Sequence, residues 1–232
     1  MTRVLIQSAL ATSGSLMGGM LLGFIAGSAV HGIPFHMPEQ TRVVVASLPA
    51  LAGVLGGGAL WGMLLARIFA SPAPRRMAAA GALFFGPTVL VTAILLSALE
   101  VAVVEGDGGP SLPVHIIFTL LFVPATFVVT SIASAAMLVA AGRGRMALRS
   151  ALSCGLAGAG AFLGANLILD LLGWRVGAPG AAEKATMLTV LSLGSLAASF
   201  AGGGVLGVFL TPSRRPANGN HQGSFVTHPG SP

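Results

Sequence analysis

Charge is what this chain has least of. Only 8% of its 232 residues are Asp, Glu, Lys or Arg, against about a quarter in an ordinary soluble domain. A water-facing surface cannot be built from so few charges, so lipid is the solvent for most of the chain. Tyrosine is absent, lysine occurs once, and the single cysteine, Cys154, excludes an intrachain disulfide or a multi-cysteine metal cluster. Catalytic signatures are missing too. There is no His-Glu-x-x-His, no Gly-x-Ser-x-Gly and no phosphate-binding Gly-x-x-x-x-Gly-Lys-Ser/Thr, so nothing points to an enzyme or to a cofactor. The middles of the apolar segments hold no ionisable side chain, which argues against a proton-coupled carrier.

What is abundant is hydrocarbon: 54% apolar residues and a mean hydropathy of +0.90. Six long apolar segments run over Val4–Val30, Val43–Phe69, Met77–Val104, Val114–Ala141, Met146–Gly173 and Ala185–Leu210. Each exceeds the ~20 residues that cross a bilayer as a helix. No strict two-residue alternation suggests a β-barrel. The expected fold is therefore an all-α integral membrane protein, six transmembrane helices in one bundle spanning residues 1–210. The first segment, long and followed by further spans, reads as an uncleaved helix rather than a signal peptide. Residues 211–232, rich in Pro, Gly and polar side chains, are expected to be a disordered cytoplasmic tail.

Charge placement sets the expected orientation. Arg3, Arg67, Arg75, Arg76, Arg143, Arg145, Arg149, Arg214 and Arg215 fall on one side of a six-span topology. Arg42, Arg175, Lys184 and all six carboxylates, Glu39, Glu100, Glu105, Asp107, Asp170 and Glu183, fall on the other. By the positive-inside rule both termini are cytoplasmic, in the plasma (inner) membrane of a bacterium. The same arginines make anionic headgroups of the lipid bilayer natural partners. Nucleic acid is not expected, because no folded basic domain or row of stacking aromatics accompanies the charge.

Small residues recur at four-residue spacing: Gly19, Gly23 and Gly27; Gly53 and Gly57; Gly58 and Gly62; Gly160 and Gly164; Gly203 and Gly207. In lipid such stripes let backbones approach closely, so these glycines are expected to pack helices. The expected partners are helices of the same chain, with other membrane subunits or a second copy as the alternative. Spans 1, 2, 5 and 6 are expected to form the tight centre. Two short likenesses, Gly56-Gly-Gly-Ala-Leu with Gly202-Gly-Gly-Val-Leu and Arg76-Met-Ala with Arg145-Met-Ala, hint at a duplication. Pro87 and Pro124 interrupt spans 3 and 4, and a proline there frees a carbonyl.

The ionisable and metal-ligating groups gather at the end opposite the arginines. The stretch from His31 to Arg42 holds His31, His36, Met37 and Glu39. Glu100 and His115 flank the next break, and Asn166 and Asp170 share one face of span 5, four residues apart. This cluster is the candidate site for a ligand, a metal or a docking partner. Its histidine–thioether–carboxylate chemistry suits copper or zinc, but no recognised chelate spacing is present. The functional expectation is a non-catalytic accessory or assembly subunit acting through helix packing. A small permease or channel for a neutral or weakly polar solute is the rival, and a metal- or haem-binding protein comes third.

Overall fold

The computed structural model describes residues 2–31, 39–84, 114–174 and 181–211, with side chains at 2–18, 21, 51–84, 115–174 and 186–211. Every described segment is helical apart from its turns. In hydrocarbon that is the expected solution, because a helix satisfies its backbone polar groups within one segment. The helices are α1 (Thr2–His31), α2 (Glu39–Ile68), α3 (from 74, described to 84), α4 (Val114–Ala140), α5 (Ala147–Leu171) and α6 (Ala181–Leu210). A short 3₁₀ turn, Gly144–Met146, precedes α5. Four stretches are long and apolar enough to cross a membrane: Leu51–Ile68, His115–Ala140, Gly144–Leu171 and Thr186–Leu210. Of the other two expected spans, Val4–Val30 lies within α1 and Met77–Val104 continues beyond the described residues, and the tail after 211 lies outside them.

Helix ends follow local chemistry. At the end of α2, the Ser71 amide donates to the Ala66 carbonyl and the Ala70 amide to that of Arg67. The same pair of bonds closes α4, from Arg143 to Leu138 and Gly142 to Val139, and α5, from Trp174 to Leu169 and Gly173 to Asp170. Each is a Schellman closure, which needs a left-handed residue at its hinge. Gly142 (φ +77°) and Gly173 (φ +85°) take that shape freely, whereas Ala70 (φ +46°) holds it with a Cβ.

The helices pack in the order α2–α1–α6–α5–α4, and α3 lies along α2. Neighbours run antiparallel. Residue 12 of α1 meets 61 of α2 and 203 of α6, residue 154 of α5 meets 202 of α6, and residue 131 of α4 meets 151 of α5. The start of α1, the α2–α3 turn, the α4–α5 turn and the finish of α6 therefore share one end of the bundle. That end carries Arg3, Arg67, Arg75, Arg76, Arg143, Arg145 and Arg149, and no carboxylate among the described residues. It also holds the larger buried cluster, with Trp61, Leu65, Met77, Met137, Leu138 and Leu210 at its heart. A second cluster, Phe118, Phe122, Phe162, Val190 and Ala198, extends toward the other end. Of the four membrane-length stretches, the one in α4 is the least buried.

The glycines divide by use. On α2, a Cβ at Gly62 would strike the Met77 backbone, and one on Gly81 of α3 would strike the Gly58 carbonyl. On α6, Gly203 lies against Thr12 and Gly207 against Ser8. Gly53 and Gly57 sit in the middle of α2, half-buried and buried. The surroundings of Gly19, Gly23 and Gly27 lie outside the described residues. On α5 the expected pair is displaced: Gly160 and Gly164 have nothing within 4 Å of a Cβ, and Gly155 and Gly158 instead meet Phe127, Ser131 and Thr130 of α4. Spacing alone could not distinguish these faces, since lipid is as apolar as a helix neighbour.

The short sequence likenesses are not structural equivalents. Met77 is fully buried while Met146 is 42% exposed, and Leu60 is 52% exposed while its counterpart Leu206 is 2% exposed. Matching residues point to different surroundings.

Candidate functional site

On α4 most hydroxyl groups are spent locally. Thr119, Thr126 and Thr130 donate to the carbonyls of His115, Phe122 and Thr126, and Ser134 donates to that of Ser131. This back-bonding removes a hydroxyl from the apolar surroundings at little cost to the helix. α4 also runs unbroken through Pro124. Ser131 reaches instead to α5, donating to the Ala151 carbonyl at 2.9 Å.

A polar relay joins three other helices. The Trp61 indole N–H on α2 donates to Thr12 Oγ1 on α1 at 2.9 Å. Thr12 donates to the Ser8 carbonyl one turn back, and the Ser8 hydroxyl donates to the Gly203 carbonyl on α6 at 2.7 Å. Close approach at Gly203 and Gly207 is what brings Ser8 within reach. Sequence reading missed this relay, although a Ser and a Thr four apart on α1 marked the face that makes it.

Asn166 behaves differently. It is 9% exposed, and both its amide nitrogen and its amide oxygen are buried without a hydrogen-bond partner. Among the described residues the hydroxyls of Ser13 and Ser15 on α1 are also buried without a partner, but Asn166 is the one amide so placed. Asp170 lies one turn further along the same face, with Oδ1 buried. One turn in the opposite direction is Phe162, whose ring stacks with Phe118 and Phe122 of α4 at centroid separations of 6.3 and 6.5 Å. Gly194 of α6 lies flat against Phe162, where any side chain would collide with the ring. The amide thus sits between a sealed aromatic layer below and a carboxylate about 6 Å nearer the helix end. Trp174, half-exposed, follows the α5 closure at the level expected of an interfacial anchor.

Of the expected polar cluster, the structure places Asn166 and Asp170 on one face of α5 and His115, half-buried, in the first turn of α4. The antiparallel α4–α5 pairing puts all three at the end away from the arginines. His31 closes α1 and Glu39 opens α2, but their side chains lie outside the described residues, as do His36, Met37 and Glu100 entirely. Among the described residues no three His, Cys, Asp or Glu side chains come together in a way that would hold a metal ion.

At the opposite end, Arg143 forms a clamp that sequence reading did not anticipate. Its Nη1 donates to the carbonyls of Phe209 (2.8 Å) and Thr211 (2.9 Å) at the finish of α6. A cation there meets the negative end of the helix dipole and two carbonyls with no partner inside the helix. No known family, curated protein or solved structure matches this chain.

Proposed function

We propose that this chain is a non-enzymatic, six-span protein of the bacterial inner membrane. In this reading it is an accessory or assembly subunit that works by packing its helices against other membrane segments. The carrying observation is the division of glycines on α5. Gly155 and Gly158 are consumed inside the bundle, while a Cβ at Gly160 or Gly164, a four-residue pair, would meet no neighbouring helix within 4 Å. Helices in lipid associate through such small-residue faces, because close backbone contact replaces the missing hydrophobic drive. Exposed Leu156 and Leu167 flank the pair and would border a docked helix. The arginine-bearing end supports an orientation with both termini in the cytoplasm.

The test is co-purification from native membranes in mild detergent, comparing wild type with a Gly160→Leu/Gly164→Leu variant. Wild type should bring down another membrane subunit, or a second copy, and the variant should lose it while keeping its own melting temperature. Retention of every associated protein by the variant would overturn the assignment.

A second reading, a permease for a neutral or weakly polar solute, is favoured by Asn166. An amide with both halves unmet suits a solute that offers its own donor and acceptor. Flux of small polyols and amides into proteoliposomes, abolished in Asn166→Leu, is its signature; equal flux in empty liposomes removes it.

A further inference from the structure

Seven arginines meet at one end of the bundle, and they do not all serve the helices. Arg67, in the last turn of α2, and Arg143, on the finish of α6, sit at negative dipole ends. Arg3, Arg75, Arg76 and Arg149 lie in the first turns of α1, α3 and α5, and Arg145 lies in the 3₁₀ turn that leads into α5. Those are positive dipole ends, where a cation is the unfavourable choice and a carboxylate the favourable one. Neither α1 nor α5 has an acid in its first turn, and α3 opens Pro74-Arg75-Arg76-Met77. Each of these five arginines is exposed. All are arginine where lysine would serve orientation equally well, and guanidinium grips phosphate oxygens in a two-pronged fork that ammonium lacks.

We propose that Arg75 and Arg76, with Arg145 and Arg149, form an anionic-lipid surface that holds the phosphodiester headgroups of the adjoining leaflet. Charge complementarity selects the occupant. Among the described residues this end carries arginine and no carboxylate, and each basic residue near an anionic leaflet strengthens binding about fivefold. These arginines lie at the helix ends, apart from the Gly160–Gly164 face of α5 on which an assembly partner would dock.

The test is thermal unfolding of the purified full chain in detergent supplemented with phosphatidylglycerol, with phosphatidylcholine, or with inorganic phosphate. Wild type should melt several degrees higher with phosphatidylglycerol than with phosphatidylcholine, and inorganic phosphate should not reproduce the shift. In R75Q/R76Q/R145Q/R149Q the difference between the two lipids should disappear, whereas the fourfold Lys variant, with its charge intact, should keep a reduced part of it. Native mass spectrometry of wild type alone should show phosphatidylglycerol adducts retained at least about tenfold over phosphatidylcholine, which keeps the proposal testable should the Gln variant fail to fold. Equal melting in both lipids, an undiminished preference in the Gln variant, or a full shift from inorganic phosphate would each overturn it.

Discussion

The indole nitrogen of Trp61 lies 2.9 Å from Thr12 Oγ1, and this one bond ties α2 to α1 while the same hydroxyl bonds back to Ser8. Thr12 also fills the space over Gly203, so a single small side chain supports contacts to two helices. Thr12→Val keeps the shape and removes the hydroxyl that accepts from the indole N–H. The expected loss is about 0.5–1.5 kcal/mol, the range of interhelical hydrogen bonds in membranes. Unfolding in mixed micelles measures it. A double-mutant cycle with Trp61→Phe should return most of that loss as coupling, and additivity would mean the bond contributes nothing.

Gly62 and Gly160 make a contrasting pair. A methyl group at Gly62 runs into the Met77 carbonyl, so Gly62→Ala must push α3 from α2 and should cost more than about 2 kcal/mol. Gly160→Ala enters open space and should be neutral or stabilising by up to about 1 kcal/mol. The same unfolding assay ranks the two, and equal effects would contradict the contact geometry.

Much of the architecture was legible because hydrocarbon length is a blunt, strong signal. Val114 and Leu210 mark the observed start of α4 and finish of α6, and the Val114–Ala141 reading is long by one residue. The polar flanks were harder. α2 begins at Glu39, four residues before the expected Val43, and α6 at Ala181, four before Ala185, because a helix extends into the interface wherever its residues tolerate it. Facing was legible only in part. On α5, Gly155 and Gly158 are inside and Gly160 and Gly164 outside, since no polar stripe tells a helix which side meets lipid. The likeness of Asn166 and Asp170 as a pair followed from spacing; the Phe118–Phe122–Phe162 layer beneath them needed two helices to be brought together.

Arg143 should matter more than its place in a turn suggests. Arg143→Ala removes two charged hydrogen bonds from the finish of α6, an expected cost of about 2–3 kcal/mol. Hydrogen exchange should quicken in the last turn of α6, through Leu210, while α4 amides near Met137 stay protected. Unchanged exchange at the end of α6 would show that the clamp is not needed.

Ala70 offers a gain. It holds φ +46° at the α2 closure, where the equivalent positions on α4 and α5 are Gly142 and Gly173. Ala70→Gly should relieve the left-handed strain and raise stability by roughly 0.5–1 kcal/mol, after allowing for the larger unfolded-state entropy of glycine. A lower melting temperature would argue that the turn is held by packing around Ala70 rather than by its backbone.

Asn166 is the residue at which stability and function should part. Its amide is buried with neither half bonded, and an unmet buried polar group costs about 1–3 kcal/mol. Asn166→Leu, close in volume and free of polar atoms, should therefore raise the melting temperature of the purified protein. A side chain that weakens its own fold is the mark of a site kept for an external contact, a trade seen wherever function needs a poorly satisfied group. The variant should accordingly lose solute flux under the permease reading and leave co-purifying partners unchanged under the assembly reading. Should Asn166→Leu instead lower stability, the amide is bonded in the folded protein, and the case for a ligand at that level of α5 falls with it.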